Sequence, residues 1–109
     1  MLRRGLGVVK TCIILTTIGR AESADNIALS LIDSNLAKCV QIDNVTSFYK
    51  WDNKLLRDNE FRLIIKACSS SYRLIEQMIL DLHDYESPQI IKIDITDGLN
   101  SYLKWLTDK

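Results

Sequence analysis

Ser47-Phe48-Tyr49-Lys50-Trp51-Asp52-Asn53-Lys54, inside the longer stretch Cys39 to Ala67, decides the fold. Asp52-Asn53 supplies two adjacent residues that tolerate positive φ, as a two-residue hairpin turn requires. Upstream, Val45, Ser47, Tyr49 and Trp51 share one face at period two. Downstream, Phe61, Leu63, Ile65 and Ala67 do the same. Both arms are roughly twice the usual strand of about 5–6 residues. A two-stranded ribbon of that length overhangs a small globule and is only marginally stable alone. The stretch therefore predicts a self-associating protein. Val40 and Ile42 have the opposite parity from Val45 and its successors. That switch predicts a β-bulge at Asp43-Asn44, which would turn the distal hairpin toward a neighbour.

On the N-terminal side, Val8 to Thr17 is nearly continuous in apolar and β-branched residues and reads as a central strand buried on both faces. Met1 to Gly7 reads as a flexible tail, and residues 8–109 as one domain. Lys10 interrupts the first apolar run, so a strand is the better reading than a secretory signal. Ser23 is a helix-cap candidate ahead of the stripe Ala24, Ile27, Ala28, Leu31 and Ile32. Beyond the hairpin, Ser69-Ser70-Ser71 offers caps for a second helix with Ile75, Met78, Ile79 and Leu82 inward. Pro88 forces that helix to stop near His83-Asp84. Ile91, Ile93 and Ile95 alternate with polar residues, predicting a fourth strand with its isoleucines in the core. Thr96 or Asp97 would cap a last helix carrying Leu99, Tyr102, Leu103 and Leu106 on one stripe. The order β-α-β-β-α-β plus a C-terminal helix is the α+β, ferredoxin-like split βαβ plan, with helices on one sheet face and the other face open.

Composition narrows the function. The chain has 109 residues, with 14 basic and 14 acidic side chains that cancel, so nothing points to nucleic acid. No stretch approaches the ~20 apolar residues of a membrane span. Cys12, Cys39 and Cys68 form no C-x-x-C pair and read as reduced thiols, which suits the cytoplasm. No phosphate loop, G-x-S-x-G or H-E-x-x-H is present, and a non-enzyme is expected.

The blocks Leu36-Ala37-Lys38-Cys39-Val40, Ser47 to Leu55, Glu60 to Lys66, His83-Asp84-Tyr85-Glu86-Ser87-Pro88-Gln89-Ile90-Ile91 and Tyr102-Leu103-Lys104-Trp105 resemble, in order and spacing, the divalent-cation tolerance proteins of the CutA family. The resemblance implies a homotrimer with inward-facing sheets and crossing hairpins, a response to metal ions, and copper binding. The family places a histidine before x-Tyr-x-x-Pro-Glu and, in some members, a cysteine late in the first strand. Here His83, Tyr85 and Pro88 are kept, Gln89 stands at the glutamate position and Thr16 at the cysteine position. His83 is thus the candidate ligand for Cu(II) or another divalent cation, with Glu86 a weaker substitute. Gln and Thr neither neutralise such an ion nor release a proton to bind it. Lys66 matches a family lysine and asks for a carboxylate such as Glu60 or Asp94, or a bound anion, beside it. Lys66, His83, Tyr85 and Gln89 are expected to line one inter-subunit cleft. That arrangement leaves a second reading open, a trimeric small-ligand sensor or adaptor built like the PII signal proteins, and a third, a structural scaffold.

Overall fold

The computed structural model describes residues 9–108. The elements run β1 (Thr11–Ile18), α1 (Ala21–Asp33), β2 (Cys39–Trp51), β3 (Lys54–Cys68), a 3-10 turn (Ser69–Ser71), α2 (Tyr72–Leu82), β4 (Ile90–Ile95) and α3 (Asn100–Thr107). They form one antiparallel sheet in the order β2-β3-β1-β4. This is the expected α+β split plan, with β1 central. The expected tail, Met1 to Gly7, lies outside the described residues.

α1 and α2 cover one sheet face. There Cys12, Ile14 and Ile18 of β1 and Leu63, Ile65 and Ala67 of β3 pack with Ala24, Ile27 and Leu31 of α1 and Ile75 and Ile79 of α2. The stripes of α1 and α2 fall at the anticipated spacing because positions three and four apart stack on one side of a helix, but Ile32 is exposed, and of the stripe expected in α3 only Leu106 is buried, Leu99 lying exposed ahead of the helix. The caps differ from expectation. Arg20 precedes α1 without a side-chain cap bond, and Ser23 is buried inside the helix, where its hydroxyl donates to Asp84 at 2.9 Å. Leu99, not Thr96 or Asp97, precedes α3. Asp97 instead accepts the Gly98 amide.

β2 and β3 pair without interruption from Cys39 opposite Lys66 to Trp51 opposite Lys54, so the expected bulge at Asp43-Asn44 does not form. The parity switch has another cause. Val40 and Ile42 share a face with Ile65 and Leu63, against the helices. Val45, Ser47, Tyr49 and Trp51 lie on the opposite, open face. No residue is inserted; past the end of the helices Val45, Tyr49 and Trp51 occupy the open face, while Phe48 and Leu55 stay exposed on the other. β4 follows the same logic. Ile93 pairs with Ile13 and Ile91 with Leu15, so these isoleucines line the open face, each 46% exposed, and not the helix core as expected. With Ile13, Leu15 and Ile64 they make an apolar sheet surface. α3 covers one end of that surface, where the Lys66 ammonium lies 5.5 Å from the Tyr102 ring centre.

β1 pairs with β3 only as far as Ile18 opposite Phe61. From Val45 opposite Glu60 to the turn, the ribbon has no third strand beside it among the described residues. That overhang runs roughly 20–25 Å and stretches the chain to 56 × 27 × 21 Å. Its turn places Asp52 at φ 52° and Asn53 at φ 62°. Asn53→Val should cost about 1–2 kcal/mol, the penalty of a side chain that resists the left-handed region, whereas Asn53→Gly should cost nothing. Chemical denaturation midpoints of the two variants check this; equal midpoints would contradict it.

Candidate ligand cleft at the base of the hairpin

The cleft is built by the segment that follows α2. The helix ends at Leu82, and His83 turns to extended backbone at φ −80°, ψ 144°. The His83 ring is pinned on both sides. Nε2 lies 2.7 Å from the Thr17 carbonyl oxygen, and Nδ1 accepts the Tyr85 amide at 3.0 Å. A carbonyl can only accept, so Nε2 carries the proton and Nδ1 offers its lone pair to Tyr85. This fixes the Nε2–H tautomer and leaves neither nitrogen free.

Tyr85 then reaches across the sheet. Its hydroxyl donates to Glu60 Oε2 at 2.8 Å, while Glu60 Oε1 accepts Ser47 Oγ at 2.8 Å. Tyr49 donates to Asp58 in the same way. Ser47 and Tyr49 each bond a residue two places along from their direct partner, the diagonal contact that a twisted ribbon brings close. Gly19 lets the Tyr85 phenol lie low, because a β-carbon there would sit 3.2 Å from its oxygen. Burial, reinforced by the bond to Glu60, raises the Tyr85 phenol well above its ordinary pKa. The bond to Asp58 raises that of Tyr49. Behind the cleft, Asp84 joins Arg20 at 3.3 Å and Ser23 at 2.9 Å. Arg20 first, then Ser23, holds its carboxyl below the usual range.

The resulting cleft encloses about 870 Å³. Tyr85, Glu86 and Gln89 line it with Tyr49, Trp51, Asp58 and Glu60. His83 is behind the wall. Lys66 is elsewhere, six positions from Glu60 along β3 and opposite Ile13 and Cys39. Neither expected carboxylate reaches it: Glu60 is bonded to Tyr85 and Ser47, and Asp94 pairs with Lys92 at 3.5 Å. The four residues expected in one cleft are therefore divided. Asp58 and Tyr49 were missed and Glu60 was expected beside Lys66, although the shared parity of the three across Asp52-Asn53 places them on one face once the register is known.

The donor set does not fit a copper centre within the chain. Both His83 nitrogens serve the backbone, and Gln89 is neutral. Thr16 is fully buried on the helix side of β1, with its hydroxyl unpartnered among the described residues. Burial pushes the Cys12 thiol up, away from the thiolate a soft metal needs. Among the described residues, no three His, Cys, Asp or Glu side chains gather to hold an ion.

The family model described as "CutA1 divalent ion tolerance protein" matches residues 12–109. The chain belongs to the CutA1 family. It is 32% identical over 97 residues to the divalent-cation tolerance protein CutA of Thermus thermophilus, covering 88% of this chain and 94% of that one. The Pyrococcus horikoshii CutA is 33% identical over 97 residues, covering 89% and 95%. The crystal structure of CutA1 from Shewanella sp. SIB1 superposes with a TM-score of 0.85 at 38% identity, covering 88% of this chain and 91% of that one. CutA1 membership accounts for the order of sequence blocks and for the split βαβ plan with its long hairpin.

Two outcomes follow from the cleft's geometry. Gly19→Ala should weaken the Tyr85–Glu60 bond and cost about 0.5–1.5 kcal/mol, the net worth of one hydrogen bond. In a Tyr85→Phe background the same change should cost clearly less, a coupling that a double-mutant cycle reads; strict additivity would contradict it. The depressed Asp84 pKa gives a sign for acid. Its contribution is fully present above the ordinary carboxylate value of about 3.9 and is lost as pH falls through the lower folded value. Asp84→Asn should therefore flatten the stability profile below about pH 4, measured by urea midpoints across pH.

Proposed function

We propose that this chain acts as a homotrimer in divalent-cation tolerance, by binding and assembly and not by catalysis. One observation carries the reading. The overhanging ribbon turns Tyr49, Trp51 and Leu56 to the same face as Ile13, Leu15, Ile64, Ile91 and Ile93, and leaves Phe48 and Leu55 exposed on the other. Trp51 is 67% exposed in the single chain. A surface that runs from the outer strand to the hairpin tip suits burial against sister chains far better than exposure to water. Tolerance then runs through the assembly and its clefts, not through a copper centre on His83. The anion-sensing alternative needs a cation in the cleft, and Lys66 stands under α3 instead. A reducing compartment such as the cytoplasm suits the three unpaired thiols.

Sedimentation equilibrium should give three times the 12.5 kDa chain mass. Trp51→Ala should weaken assembly by about 2 kcal/mol or more, as for a buried interface aromatic. A folded 12.5 kDa species at micromolar concentration would refute the proposal.

A further inference from the structure

Both nitrogens of His83 are engaged by the backbone, so the ring serves no metal. One chemical change is still open to it, a second proton. Imidazole is the side chain whose charge ordinarily changes between about pH 5 and 8. In the neutral ring Nε2 donates to the Thr17 carbonyl at 2.7 Å, and Nδ1 accepts the Tyr85 amide at 3.0 Å. In the charged ring both nitrogens are donors. The two bonds then respond in opposite ways. Nε2–H makes a charge-assisted bond to the Thr17 carbonyl, stronger than before. Nδ1–H points at the Tyr85 N–H, and that bond has to break. The ring stays with β1 and the loop lets go.

The surroundings permit the change. Within the loop, the Tyr85 ring centre lies 4.7 Å from the imidazole, and the Asp84 carboxylate is near enough to feel its charge. Asp84 favours the charged ring. Arg20, ahead of α1, opposes it through the same carboxylate, 3.3 Å away. From β3, Glu60 acts through the Tyr85 hydroxyl at 2.8 Å, and β1 presents the Thr17 carbonyl. The freed amide is not stranded, because Tyr85 is 39% exposed and water can replace Nδ1. The motion is bounded on both sides. Asp84 remains on Arg20 and Ser23, and Ile90 is held opposite Thr16 in the sheet. We infer that His83 is a proton-operated latch. Its protonation at Nδ1 releases residues 85–89 from the end of β1, and with them the Tyr85 phenol from Glu60. Every bond of the latch lies within one chain, so the inference goes beyond the assembly reading and does not rest on it.

Hydrogen exchange at the Tyr85 amide of the full chain, corrected for the intrinsic pH dependence of exchange, tests this between about pH 5 and 8. Nitrogen-15 spectra of the His83 ring follow its protonation in the same samples. Tyr85 protection should fall by about tenfold as Nδ1 gains its proton, the effect of losing one hydrogen bond, while the Ile14 and Ile65 amides stay protected. In His83→Asn the side-chain oxygen can accept the Tyr85 amide but takes up no proton, so the pH dependence should vanish. Circular dichroism confirms that this variant is folded; if it is not, the wild-type measurement alone decides. Unchanged Tyr85 protection while the ring titrates overturns the inference. So does a ring that takes up no proton above about pH 5, or an equal fall in His83→Asn, which would assign the effect to Glu60 or Asp84.

Discussion

The unbroken hydrogen-bond ladder between β2 and β3 is the constraint from which the rest follows. Once Asp52-Asn53 sets the turn, every residue of both arms is assigned to one side of the ribbon, because side chains alternate with a period of two. Nothing can change sides without an inserted residue, and none is inserted. The chain therefore meets two different environments on two different faces. Near the base, α1 and α2 require apolar side chains on the helix side, and Val40, Leu63 and Ile65 supply them. Beyond the helices that demand disappears, and apolar residues stand on both sides, Val45, Tyr49 and Trp51 on the open face and Phe48 and Leu55 on the other.

The same ladder builds the cleft. Ser47 and Tyr49 on one arm, and Asp58 and Glu60 on the other, project from the open face at the point where the sheet's third strand stops. The segment after α2 closes the site from above. It is held by backbone bonds to both nitrogens of His83, by Tyr85 lying over Gly19, and by the Asp84 bonds to Arg20 and Ser23. His83 thus acts here as a brace between the end of β1 and the loop that carries Tyr85. A net-neutral sequence yields a locally acidic wall because alternation gathers Asp58 and Glu60 on one side while Arg57 goes to the other, beside Phe48.

Element order, the hairpin turn, the central strand and the helix stripes were legible from residue spacing, because each is a short-range consequence of backbone geometry. The C-terminal stop of α2 was legible too, since Pro88 forbids continuation. Helix caps were less so. Ser23 has the right chemistry for a cap, but a partner, Asp84, lies 61 positions away and takes its hydroxyl. For the site, one block of sequence singled out Tyr85 and Gln89 for a cleft between subunits and Glu86 for a metal; within one chain the three stand along the same cleft.

By itself, then, the sequence determined which segments become strands and helices, and that the ribbon outruns its sheet. Only the tertiary structure decided which face each apolar run addresses. Val45 and Ile91 look like core residues by pattern, and they face outward because the helices cover the other side. It also decided which polar groups meet. Lys66 and Glu60 lie on one face of one strand, but six positions of extended chain, roughly 20 Å, keep them at opposite ends. Alternation reports parity, which is local. Coverage and convergence depend on where other elements end, and that is a property of the folded whole.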